Sequence, residues 1–119
     1  MRGPLRGVLI CHCHECRRWS GGSFAATAAR REDVVLLDDA HLRWAASPES
    51  ETGARRGFCE LCGSGLFWDA PDASMLSISA GSLDDQAALE AAGHVYVSQV
   101  PGWQALPDDG LPRRDRLRA

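Results

Sequence analysis

Short apolar runs broken by turn residues dominate the chain. Leu5 to Cys11 reads as a strand leading into a cysteine cluster. Glu15 to Trp19 has room for one helical turn, which Gly21-Gly22 ends. Phe24 to Ala29 is ambiguous by period, but its shortness and flanking glycines favour a strand. Val34 to Leu37 and Leu42 to Ala46 predict two strands around an Asp38-Asp39 turn. Arg55 to Phe58 runs into a second cysteine cluster, and Leu66 to Trp68 leaves it. Met75 to Ala80 alternates apolar and small polar residues, as a strand with one buried face does. Gln86 to Ala92 carries good helix formers, Gly93 stops them, and His94 to Val97 predicts another strand. The pattern predicts a mainly β domain of many short antiparallel strands.

Composition narrows the class. A chain of 119 residues allows one domain. Hydrophobic residues at 45% with charged residues at 24% exclude wholesale disorder. A formal charge of −3 argues against a general binder of nucleic acid or anionic membranes. No stretch reaches the roughly 20 apolar residues of a membrane helix. The start, Met1-Arg2-Gly3-Pro4-Leu5-Arg6, has no apolar core of a signal peptide. The expected compartment is therefore the reducing cytoplasm, where clustered cysteines serve as metal ligands more often than as disulfides. The domain is expected over residues 1–112, with a flexible tail over 113–119.

The five cysteines form two clusters. Cys11, Cys13 and Cys16 fall within six residues, and strand alternation puts Cys11 and Cys13 on one face. A turn after Cys13 brings Cys16 round to join them. Three protein ligands with one coordination position left is the arrangement of a catalytic zinc. Cys59-Glu60-Leu61-Cys62-Gly63 fits a zinc knuckle, and by itself it is half a site. Spacing also permits a single four-cysteine zinc with one cysteine spare, or small buried cysteines with no metal. A redox C-x-x-C lacks its βαβ setting here. His12 and His14 are further candidate ligands, although alternation turns His12 away from Cys11 and Cys13. His94 is expected to be packed on its strand. Asp84-Asp85 is expected to make a turn. The four tryptophans are expected in the core or a pocket wall, with Trp103 as a candidate lining of a substrate cleft.

The segment Cys11-His12-Cys13-His14-Glu15-Cys16-Arg17-Arg18-Trp19-Ser20-Gly21 resembles the C-H-C-x-x-C-R-x-x-[ST]-G segment of the glutathione-dependent formaldehyde-activating enzyme family, also called the GFA or centromere-protein-V family. Arg56 to Ser64 with Leu66-Phe67-Trp68, then Ser79 to Asp85, His94 to Val97 and Asp109 to Pro112, resemble its later segments in order. The resemblance implies a small zinc-binding β-tent fold with two zinc sites. It implies a catalytic Zn²⁺ on Cys11, Cys13 and Cys16, and a structural zinc to which Cys59 and Cys62 supply half the ligands. The family's N-terminal C-x-C strand has no counterpart in this chain, which leaves the structural site incomplete. A gene start assigned too late accounts for this; a genuine short form would hold zinc weakly, or not at all, at Cys59 and Cys62.

The implied activity is a carbon–sulfur lyase type, as in S-(hydroxymethyl)glutathione synthase, which adds the glutathione thiol to formaldehyde. The implied partners are a small thiol and an aldehyde, with no nucleic acid and no membrane. Arg17 or Arg18, beside the cluster in sequence, is expected either to offset its negative charge or bind a substrate carboxylate, or to be a plain surface arginine. The competing reading is a zinc-stabilised binding module without catalysis, since fold does not settle function. An enzyme on another thiol or aldehyde is a third.

Overall fold

The computed structural model describes residues 3–116. Strand β1 (Val8–Cys11) leads through helix α1 (His14–Ser20) to β2 (Phe24–Arg30). Strands β3 (Leu42–Ala46), β4 (Arg55–Cys59), β5 (Gly65–Asp69) and β6 (Met75–Ser79) follow, and β7 (Ala91–Val95) comes last. All join one sheet in the order β3-β4-β5-β6-β2-β1-β7. The domain is mainly β, as the apolar pattern predicts. One pairing departs from the antiparallel expectation: β7 runs parallel to β1, with Ile10 opposite His94 and Cys11 opposite Val95.

The core follows from β2. Its residues Ala26, Thr27, Ala28 and Ala29 are consecutively buried, so both faces of this central strand are covered. Such small side chains let neighbouring layers approach closely, and Ile78 of β6 and Val95 of β7 complete the packing. The Thr27 hydroxyl donates to the Arg6 carbonyl, which satisfies a polar group in the most enclosed part of the sheet. On the far side, Asp69 at the end of β5 receives Arg55 at 3.0 Å and Arg31 at 2.5 Å. Burial raises the Asp69 carboxyl, but the hydrogen bonds from Arg31 and Arg55 outweigh it and hold it below the usual carboxylate range.

Two expected elements do not form. Val34 to Leu37 is not a strand: Val35, Leu36 and Leu37 are exposed, and the Val34 N–H turns back to the Arg31 carbonyl instead of pairing with a neighbour. Apolar composition without a partner strand does not make a sheet. The expected helix over Gln86 to Ala92 shrinks to one 3-10 turn at Gln86–Ala88, capped by Asp85, and the chain then enters β7. Gly93 lies inside that strand rather than ending a helix. A Cβ there would stand 3.2 Å from the Pro112 carbonyl oxygen, so the missing side chain admits the returning C-terminal segment. That segment docks on β7: His94 N–H donates to Pro112, and Arg114 N–H donates to His94. Arg114 of the expected tail is thus hydrogen-bonded to the sheet, and residues 117–119 lie outside the described ones.

Ala29 is fully buried, so Ala29→Leu overfills the sheet layer and costs about 1–3 kcal/mol. Leu37→Asp, at a side chain 95% exposed, stays within about 0.5 kcal/mol. Urea midpoints at constant m-value measure both. Asp69 titrates lower in the folded chain than in the unfolded one. Its stabilising contribution is therefore full above the unfolded carboxylate value and declines as pH falls toward the folded one. Asp69→Asn should flatten the acid limb of a stability–pH curve below the unfolded carboxylate value.

Candidate functional site

The chain leaves β1 at Cys11, turns through His12 and enters α1 at Cys13. Cys13 is the N-cap: its backbone is extended, and its sulfur accepts the Cys16 N–H at 3.4 Å. One helical turn then returns Cys16 beside Cys13, while Cys11 stands two residues back on the strand. The helix ends at Gly21, whose N–H donates to the Arg17 carbonyl at 2.7 Å. The three sulfurs lie within 4.8 Å of one another. Cys16 is buried, and Cys11 and Cys13 are half-buried.

Such crowding couples the three thiols. Hydrogen bonds to the Cys13 sulfur from Cys11 and Cys16 draw its thiol far below the ordinary cysteine range. Hydrogen bonding with Cys13 and Cys16, together with burial, pushes Cys11 far up. One ionisation is thus shared by the group. Three soft donors this close suit a thiophilic cation, and zinc fits the set.

The flanking histidines are engaged elsewhere. His12 is buried, and its Nε2 meets His94 Nδ1 at 2.9 Å; His94 Nε2 meets Asp109 Oδ2 at 2.8 Å. Taking Asp109 as the terminal acceptor, His94 donates from Nε2 and accepts on Nδ1 from the His12 Nε2–H. The bond from His94 holds the Asp109 carboxyl below its usual range, and burial followed by repulsion from His94 pushes His12 down. This chain of three side chains clamps β1 to β7 and to the returning segment. His14 sits between Gln99 Oε1, 3.0 Å from its Nδ1, and Glu49, which meets its Nε2. The hydrogen bonds with Glu49 and Gln99 raise its pKa.

Beside the cluster opens a cleft of about 680 Å³. Leu9, Phe24, Trp68 and Val95 give it an apolar wall, and Cys11, Cys13 and Cys16 line it too. Tyr96 also lines it with a left-handed backbone (φ 56°), unique among the described non-glycine residues. That turn redirects the chain from β7 into the 3-10 turn Val97–Gln99, which delivers Gln99 to the start of α1. The β3–β4 loop adds Glu49, whose N–H donates to Glu15 at 2.7 Å.

Arg17 and Arg18 occupy the last turn of α1, and the cleft lining does not include them. The cation at the cluster is Arg56 of β4, 4% exposed, whose Nη2 donates to the Cys16 sulfur at 3.5 Å. Its signal was present in the pattern: Arg56 is in phase with Phe58 on a strand, a charge at an inward position. Trp103 does not line the cleft as expected: it is 69% exposed, and Trp68 reaches the lining instead. Asp85 makes the expected turn by accepting the Ala87 N–H.

Cys59 and Cys62 stand apart on the β4–β5 turn. Cys59 N–H donates to Ser64, Gly63 N–H donates back to Cys59, and Gly63 takes φ +78°, which the knuckle needs. The Ser64 hydroxyl, 3.1 Å from Cys62 Sγ, is the first cause that lowers the Cys62 thiol. Among the described residues, no third cysteine, histidine or carboxylate joins this pair as tightly as the first cluster is joined. No helix there is long and apolar enough to cross a membrane.

The family model for the glutathione-dependent formaldehyde-activating enzyme matches residues 2–99. Among curated proteins none matches the chain.

His94 is 2% exposed, and His94→Leu leaves the buried His12 Nε2–H without its acceptor. The expected loss is about 1–3 kcal/mol. Denaturant melts measure it, and hydrogen exchange should quicken at the His12 amide, which bonds Val95.

Proposed function

Since the chain belongs to the glutathione-dependent formaldehyde-activating enzyme family, we propose that it joins a small thiol to an aldehyde at the Cys11–Cys13–Cys16 end of its cleft. The reading is of a zinc-dependent carbon–sulfur lyase resembling S-(hydroxymethyl)glutathione synthase. The observation that carries it is the convergence of three thiols on the wall of an open, largely apolar cleft. Cys11, Cys13 and Cys16 would hold the zinc, which when bound favours the thiolate form of a substrate thiol at neutral pH.

The chain's own residues then have distinct roles. Leu9, Phe24, Trp68 and Val95 displace water from the path of the thiol. Arg6, which spends its Nε and Nη2 on the Gly7 and Ala26 carbonyls, and Arg116 give the cleft cations for the carboxylates of a substrate such as glutathione. His14, held by Gln99 and Glu49, keeps the loop that carries Cys13 in place. Cys59 and Cys62 are read as two ligands of a separate structural zinc, a reading their tight glycine turn supports. The reducing cytoplasm is the compartment in which these thiols keep their ligand form. The cleft favours the enzyme over a binding module, because a stabilising zinc needs no adjoining pocket.

Native mass spectrometry with a thiol-dependent formaldehyde assay tests the proposal, with the spontaneous rate subtracted. The expected outcome is tight zinc at the first cluster and a glutathione-dependent loss of formaldehyde above the blank. Cys13→Ser should lose both, and Cys62→Ser should keep the activity. Full metal retention in Cys13→Ser, or a wild-type rate equal to the blank, would sink the reading.

A further inference from the structure

Arg56 is a buried cation with an unspent donor. Its guanidinium is flanked by the rings of Trp19 and Phe24, 5.8 and 5.9 Å away, and its Nη2 donates to Cys16. The other terminal nitrogen, Nη1, is buried and has no hydrogen-bond partner among the described residues. Among the same residues, no carboxylate forms an ion pair with Arg56. A buried guanidinium is costly unless anions meet it. The cysteine cluster supplies one such anion, and Arg56 also lines the cleft.

We propose that Arg56 Nη1 is the oxyanion donor of the reaction, holding the oxygen of the aldehyde while the substrate sulfur attacks its carbon. The inference rests on the thiol–aldehyde reading given above. Attack forms the carbon–sulfur bond and breaks the carbonyl π bond, whose electron pair moves to oxygen. The charge therefore appears one atom beyond the carbon that joins the sulfur. A donor must then stand beside the sulfurs rather than deep along the cleft, and Nη1 shares a guanidinium carbon with the nitrogen that touches Cys16. Arg56 keeps its proton throughout. The alkoxide takes a proton from water at the cleft mouth, and the proton shed by the thiol neutralises the hydroxide left in solvent. No electrons are gained or lost, and the reverse reaction runs through the same donor. A planar fork suits this double duty: one arm steadies the cluster, the other meets the substrate.

The test uses the zinc-loaded chain, Arg56→Met and Arg56→Lys. For each, zinc content, kcat and the KM for glutathione are measured, and formate, a one-carbon oxyanion, is titrated by calorimetry. Arg56→Met should keep its zinc and its KM while kcat falls about 10²–10³-fold, the effect of losing one oxyanion donor. Formate should bind the wild type and not Arg56→Met. Lysine has one nitrogen for two duties, so Arg56→Lys should also lose kcat at an unchanged KM, and it decides the matter if Arg56→Met fails to fold or to hold zinc. Wild-type kcat in either variant, or formate bound equally with and without Arg56, overturns the assignment. If the wild type consumes no formaldehyde above the blank, the proposed function falls. Formate binding and its dependence on Arg56 then still decide whether the anion site exists.

Discussion

Three sulfurs within 4.8 Å cannot all carry charge unless a cation stands with them. The chain around the cluster answers that constraint in several ways. Backbone N–H groups at the start of α1 point at Cys13, the guanidinium of Arg56 touches Cys16, and the set itself is shaped for a soft metal. The fold must also keep like charges from drifting apart. Hence β1 is pinned on both sides, by β2 and β7, and the start of α1 is tied to Gln99 and to the β3–β4 loop. The electrostatics of one corner thus set the demand for rigidity in the whole half-sheet.

The core has little bulk with which to meet that demand. Alanines fill the centre of β2, and each buries less apolar area than a leucine or isoleucine would there. Buried polar links supply part of the rigidity instead. Asp69 holds Arg31 and Arg55, His12 meets His94 and through it Asp109, and Thr27 meets the Arg6 carbonyl. Each is specific in geometry, which favours one arrangement over near alternatives. Trp19 shows the economy of this design. It packs edge-on against Phe58 and also stands near Arg56, so one ring serves both the layer and the cation.

Local chemistry was the part most legible in the sequence. Cys11, Cys13 and Cys16 announced themselves by spacing, because strand alternation and one helical turn are short-range rules. The turn after Cys62 was equally plain, since Gly63 marks it. What alternation and spacing could not reveal was decided by residues far apart. Val34 to Leu37 has a strand's composition, but a strand exists only where another edge accepts it. Gly93 looked like a helix stop until the approach of Pro112 gave it another reason to be glycine. Arg17 and Arg18 were adjacent to the cluster in sequence, whereas Arg56 was adjacent in space, on a strand that three others separate from β1 in the sheet. Trp103 carried the right chemistry for a cleft wall and the wrong position.

The parallel pairing of β1 with β7 has a consequence for the order in which the molecule is made. His12 and His94 touch across 82 positions of sequence, and Gln99 and Asp109 lie later still. A chain growing from its N-terminus exposes the first cysteine cluster long before the strand and side chains that fix it have been synthesised. Closing so large a loop is slow, since its entropy must be met before the contact repays it. During that interval the three thiols are open to oxidants and to stray metals. The nascent chain thus depends on the redox state and the free metal pool of its surroundings before it has a fold to protect it.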